Sequence, residues 1–251
     1  MRTLAVIASL LIAPSAFAQG GERLFGSNTD VRTTLAFKVP DSAAQKVLPA
    51  GWQVNSSTSG PTAGFNLAIV LIDQILAQDP DGKPTPPLRG AVLNVPARKT
   101  GSDAAGAMVF TGLVSVAGAP GAYGNYVPSR FVIDRKQHTE PDGKISVEES
   151  WEFKGEDGNA LEVQINYVRA GGVRIKAENK VYSATKPDFY RIYRLEQIAD
   201  VVRSTPAGTD RVAKFSFKAS GPRLGPLFEG SQLIAATSLP WYARQTYLPG
   251  S

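Results

Sequence analysis

The sequence predicts a mainly β (α+β) protein: a large antiparallel sheet, closed or strongly curved, with a few short helices. Apolar and polar residues alternate with a period of two in many segments, turn signals recur between them, and few stretches read as helix. A chain of 251 residues fits one large β domain or two small ones, and 43% hydrophobic with 9% aromatic residues is ordinary for a packed core.

Met1–Ala18 has the form of a secretory signal peptide: Arg2, an apolar run Leu4–Ile12 too short to span a bilayer, and Ala16-Phe17-Ala18 as an A-x-A cleavage site. The mature chain is expected to begin at Gln19 and to be exported to a bacterial periplasm or medium, with no membrane span after cleavage. There is no cysteine, so the exported chain has no disulfide and depends on its core. Residues 19–28 are Gly-rich and polar and read as a flexible arm; residues 29–251 read as a single β domain.

Val31, Thr33, Leu35, Phe37 and Val39 share one face of a strand that Pro40 ends. Asp41 or Ser42 suits the N-cap of a short helix over Ala43–Leu48, closed by Pro49. Phe65–Ala77 is the most apolar run of the mature chain and is a buried strand or a buried helix; its β-branched content favours strand. Gln78–Arg89 carries four prolines and is a long surface connection. Ala91–Ala97 and Ala107–Ala117 are further apolar strands. Ile145, Val147, Glu149, Trp151 and Phe153 alternate with polar residues, Glu156-Asp157-Gly158-Asn159 marks a hairpin, and Leu161, Val163, Ile165 and Tyr167 form its second strand. Val173–Tyr182 follows Gly171-Gly172. Asp188–Arg203 reads as a strand running into a helix over Leu195–Val202. In Arg211–Tyr247, Ala213, Phe215 and Phe217 alternate with polar residues, Ser220-Gly221-Pro222 breaks the strand, and Leu233–Leu239 is a closing strand or short helix.

Phe217-x-x-x-Gly221-Pro222-x-Leu224-x-x-Leu227-Phe228, followed by Leu233-Ile234 and Leu239-Pro240, resembles the C-terminal part of the acetoacetate decarboxylase superfamily. Val31–Val54, with its Leu48-Pro49-x-Gly51 corner, is similar to that family's opening strand and helix, so the resemblance spans roughly Thr29–Tyr247. It implies a cone-shaped antiparallel barrel with a pocket inside, and a homo-oligomer. The family's reaction uses a lysine Schiff base whose pKa a second lysine lowers inside an apolar pocket. The matching stretch here, Tyr123-Gly124-Asn125-Tyr126-Val127-Pro128-Ser129-Arg130, contains no lysine. Arginine stays protonated and cannot take that role, so the chain is a divergent, exported member of this resemblance without the Tyr-Pro-Lys-Lys signature.

Arg130, able to bind a carboxylate through its planar fork, and Glu149, a carboxylate on an apolar strand face, are the candidate catalytic residues. Arg32, Asn66, Tyr123, Tyr126 and Trp151 are the candidate ligand-binding residues. Arg32 and Asn66 stand nearest the family's pocket arginine and one pocket carboxylate; Tyr123 and Tyr126, in the stretch matching the lysine signature, could donate hydrogen bonds to a ligand. His138 is the only histidine, and with no cysteine neither a transition-metal site nor another cofactor is expected. Loss of Arg2 takes the charge from 27 − 22 = +5 to 26 − 22 = +4, scattered without the clustered basic face that nucleic acid requires; it favours an anionic small molecule. Two functions fit: lyase-type or proton-transfer chemistry on a small carboxylate or carbonyl compound without a Schiff base, or non-catalytic binding of such a compound in the periplasm. Decarboxylation of acetoacetate itself is the weaker alternative.

Overall fold

The computed structural model describes residues 21–250; the expected signal peptide lies outside them. The chain opens with strand β1 (Arg23–Lys38), turns through helix α1 (Asp41–Lys46) and β2 (Trp52–Val54), and continues as β3 (Leu67–Gln78), β4 (Pro84–Thr85), β5 (Arg89–Lys99) and β6 (Ala105–Val114). After one 3-10 turn come β7 (Tyr126–Thr139), β8 (Ile145–Gly155), β9 (Ala160–Val168), β10 (Val173–Ser183) and β11 (Tyr190–Ser204). The chain ends with β12 (Thr209–Asp210), β13 (Val212–Ser220), α2 (Leu224–Phe228) and β14 (Gln232–Leu248).

Seven strands close a barrel in the order β6-β10-β11-β14-β1-β3-β5 and back to β6. All of its pairings are antiparallel except β10 with β6, which are parallel over Val181–Ser183. The terminal segments form its spine: β1 pairs with β14 from Arg23 opposite Leu248 to Lys38 opposite Gln232. A second antiparallel layer, β7-β8-β9-β13, joins the barrel through a short parallel contact between β6 and β7.

The main core lies outside the barrel, between its wall and this second layer. Leu35, Leu67, Ile69, Leu71 and Leu93, on the outer faces of β1, β3 and β5, pack with Trp151, Phe153, Leu161 and Ile165 of the second layer. β3 turns its other face, Ala68, Val70 and Ile72, to the barrel lumen. A strand with both faces covered has no polar side to show, which resolves the strand-or-helix ambiguity of Phe65–Ala77. The period-two runs of β8 and β9 bury one face here, as their alternation implies.

Three local expectations are corrected and one open alternative, at Leu233–Leu239, is resolved. Residues 23–28 are not a loose arm: they form the first third of β1, held between β14 and β3 (Ser27 opposite Gln78). Leu195–Val202 is strand, not helix. Its Leu, Glu, Gln and Ala content suits a helix, but ladders to β10 on one side and β14 on the other override propensity. Leu233–Leu239 belongs to β14, while the brief helix is α2, whose Leu224, Leu227 and Phe228 are buried beneath Phe37 and Phe217. Helix α1 begins after Pro40 without a side-chain cap, so neither Asp41 nor Ser42 serves as N-cap.

Candidate functional site: an arginine-rich barrel lumen

The lumen encloses a cavity of about 550 Å³, within the range of pockets that hold small organic ligands. Inward positions follow the period of two along each strand. β1 contributes Asn28, Arg32 and Thr34; β11 contributes Arg191, Tyr193, Leu195 and Gln197. β14 contributes Leu239, Tyr242, Arg244 and Thr246. Leu239 and Tyr242 share the lumen although three residues apart. The register with β1 shifts between Asp30, opposite Tyr242, and Arg32, opposite Leu239, so a bulge at Pro240-Trp241 changes which face points in.

The charged groups are connected. Asp30, fully buried on β1, accepts from Nε of Arg32 (2.7 Å) and from Nδ2 of Asn28 (2.8 Å). Asn28 Oδ1 in turn accepts from Nε of Arg244 (3.0 Å). Each lumen guanidinium also lies over an aromatic ring: Arg32 over Tyr242 (3.5 Å), Arg244 over Tyr193 (3.9 Å) and Arg191 over Phe25 (4.0 Å). Such stacking holds an arginine in place while leaving its edge donors free. Nε of Arg191 is buried without a partner. Three guanidinium groups line the cavity and one fully buried carboxylate, Asp30, lies behind Arg32, leaving two net positive charges whose field favours an anion.

The segment after β6 closes one side of the lumen with Gly118, Gly121, Ala122 and Tyr123. It is fastened by Ser183 and Thr185, whose hydroxyls both donate to the Tyr123 carbonyl (2.7 Å each), and by Asn125, which donates to the Val109 carbonyl (2.8 Å). Glycine is required beside Tyr126. A Cβ on Gly121, whose φ is +69°, would lie 2.2 Å from the Tyr126 ring, and one on Gly112 would lie 2.9 Å from it. The Tyr123 and Tyr193 hydroxyls are hydrogen-bonded to each other. Burial raises the pKa of Tyr123 and Tyr126 above the usual 10.0, and neighbouring Tyr193 adds to it. Both phenols therefore stay neutral donors throughout the physiological range. Thr85, Pro86 and Leu88 of the proline-rich connection line the lumen as well.

Among the candidates read from the sequence, Arg32, Tyr123 and Tyr126 meet in this cavity. The others do not line it. Arg130 is exposed on β7. Asn66 is buried but occupied at the β1–α1 corner, where it bonds both backbone groups of Val39 (2.8 and 2.9 Å) and Asp41 (2.9 Å). Glu149 and Trp151 lie outside the barrel wall, in the core between the layers. Glu149 accepts from Thr33 Oγ1 (2.6 Å), Trp151 Nε1 (2.9 Å) and the Tyr167 hydroxyl (2.9 Å), with Arg135 Nε at 3.5 Å. It joins the two layers and does not line the lumen. Sequence reasoning missed Asp30, Arg191, Tyr193, Tyr242 and Arg244. Among the described residues, no lysine lines the cavity and no group of acidic or histidine side chains could hold a metal ion; no helix there is long and apolar enough to cross a membrane.

A closed mixed barrel, carrying a second sheet on one flank and an internal cavity, defines the acetoacetate decarboxylase-like fold. The likeness to solved structures is of this kind. The enduracididine biosynthesis enzyme MppR with HEPES buffer bound superposes with a TM-score of 0.53 at 11% identity, covering 91% of this chain and 88% of that one. An acetoacetate decarboxylase-like enzyme from Sphingomonas wittichii RW1 gives 0.52 at 11% identity, over 97% and 98% of the two chains. MppR complexed with the condensation product of pyruvate and imidazole 4-carboxaldehyde gives 0.51 at 12% identity, over 100% and 97%. The sequence matches no protein-family profile and no curated protein.

Proposed function

We propose that this chain binds a small organic acid inside the barrel, through its carboxylate and any adjacent carbonyl, without forming a Schiff base. The observation that carries this reading is the composition of the lumen: Arg32, Arg191 and Arg244 with neutral tyrosine donors, and no lysine among the described residues. Arg244 and Arg191 keep donors free for a carboxylate, whereas Asp30 is committed to Arg32 and Asn28. With no carboxylate among the described residues that line the cavity, and Asp30 behind them engaged, the site has cations and hydrogen-bond donors but no free base. That favours binding over turnover.

Calorimetric titration with acetoacetate and pyruvate tests it. Binding is expected in the unmodified chain, and Arg244→Gln is expected to weaken it roughly tenfold, the loss of one charge-assisted bond. Borohydride added to the complex is expected to trap no adduct. A trapped lysine adduct would overturn the reading, as would affinity that does not change in Arg244→Gln.

A second reading, proton transfer or lyase-type chemistry on the same compound, is favoured by the Tyr123–Tyr193 hydroxyl pair, which could donate to a carbonyl oxygen and stabilise enolate character while solvent water takes the α-proton. Exchange of the α-protons of a bound keto acid in D2O, followed by NMR, separates it from binding alone. We also propose that the protein is exported. The support is sequence alone, the Arg2, Leu4–Ile12 and Ala16-Phe17-Ala18 pattern. Mass spectrometry of the extracellular or periplasmic protein should find Gln19 at the N-terminus; intact Met1 would refute this.

A further inference from the structure

The lumen has two chemically different walls. β1, β14 and β11 supply Arg32, Tyr242, Arg244, Arg191 and Tyr193. The opposite arc, β3, β5, β6 and β10, supplies Val70, Ile72, Val92, Ala107, Val109 and Val181, with no charged side chain. Polar groups bound the apolar wall: Asn94 stands opposite Ala68 in the register, Asn179 and Gln78 lie further along β10 and β3, and Gln74 is occupied by the Leu88 backbone amide (2.7 Å). The walls meet at the β1–β3 seam, where Arg32 is opposite Ile72. An acid of three or four carbons could satisfy the guanidinium groups yet leave this apolar arc against water. A volume of about 550 Å³ is also generous for such a molecule.

We infer that the ligand is an amphipathic carboxylate, its head held by the arginine–tyrosine wall and an aliphatic or aromatic body of six or more carbons lying on the valine wall. This rests on the carboxylate reading above and extends it to the rest of the molecule. Burying each further methylene against Val70, Val92, Val109 and Val181 removes apolar surface from water on both partners, so affinity should grow steadily with chain length.

The test is calorimetric titration of the full-length mature chain with butyrate, hexanoate, octanoate and 4-phenylbutyrate, each below its micellar concentration, with octanamide as the uncharged control. Roughly tenfold tighter binding is expected for each two methylenes added, with octanoate far tighter than octanamide. Val109→Thr and Val181→Thr, which place a hydroxyl on the apolar wall at nearly constant volume, are expected to weaken octanoate at least fivefold (on the order of a lost buried methyl contact) and butyrate by a smaller factor. A flat chain-length series in the unmodified protein overturns the amphipathic ligand while leaving a small-acid site intact. Octanoate binding no tighter than octanamide, and unchanged in Arg244→Gln, overturns both. The unmodified protein alone decides the first point, so failure of a variant to fold leaves the test standing.

Discussion

Glu149→Ala is expected to lower the melting temperature by about 10 °C, corresponding to roughly 3–5 kcal/mol for a partner removed from a buried ionic cluster. Glu149 is 3% exposed and ties together four strands: Thr33 of β1, Trp151 of its own β8, Tyr167 of β9, and Arg135 of β7 at 3.5 Å. Alanine would leave the Thr33 hydroxyl, the indole N–H and the guanidinium beside it facing a cavity, while the Tyr167 hydroxyl keeps Ser238 Oγ at 2.8 Å. Each buried donor without an acceptor costs about 1–3 kcal/mol. Arg135 cannot find other partners easily: its Nε and one terminal nitrogen are already buried without a hydrogen bond, and its second carboxylate, Asp73, is 3.8 Å away. The adjacent Glu148 is exposed, so Glu148→Ala should change stability by less than about 0.5 kcal/mol. Thermal melts of both variants decide the matter, and equal melting temperatures would remove Glu149 from its place as the joint between the layers. Removing Arg135 as well should recover part of the loss, because a complete pair costs less to replace than half of one.

The same residue shows what could be read from the sequence and what could not. Its parity with Val147, Trp151 and Phe153 places Glu149 on a buried face, and it is buried. Parity does not say which of two interiors a strand faces, the lumen or the space between layers, and a carboxylate suits either. That choice depends on which strands are neighbours, a long-range property. The fold was more legible because alternation, turns and the Gly221-Pro222 and Leu239-Pro240 motifs are local. Much of the polar lining also follows a local pattern: Asn28, Arg32 and Thr34 on β1, with buried Asp30 in phase between them, and Arg191-x-Tyr193-x-Leu195-x-Gln197 on β11 repeat with a period of two. They look like the solvent face of a half-buried strand, which is how polar alternation is usually interpreted. Only closure of the barrel turns that face inward. On β14 even the parity misleads, since the bulge at Pro240-Trp241 brings Leu239 and Tyr242 to the same side. Leu195–Val202 failed for a related reason: a helix-prone composition is overridden by two neighbouring strands that the segment itself does not encode.

Asp30→Asn is expected to make the protein less stable and at the same time more responsive to acids. The carboxylate is completely buried and is the partner of Arg32, which is itself 7% exposed. The amide keeps an oxygen for Arg32 but brings its N–H2 towards the Nδ2 donor of Asn28, and the lumen then holds three guanidinium groups with no compensating charge. Loss of one side of a buried pair costs about 3–5 kcal/mol, or on the order of 10 °C in melting temperature for a domain of this size. A carboxylate entering the lumen would supply the missing charge. Ligand that binds only the folded state stabilises it by RT ln(1 + [L]/Kd), and tighter binding to the more positive cavity makes that increment larger. Octanoate at one fixed concentration should therefore raise the melting temperature of Asp30→Asn more than that of the unmodified chain, narrowing the gap between them. Equal increments would mean that Asp30 does not balance the charge the ligand sees. A smaller increment in the variant would mean that Asp30 shapes the site through Arg32 and Asn28, with geometry outweighing electrostatics.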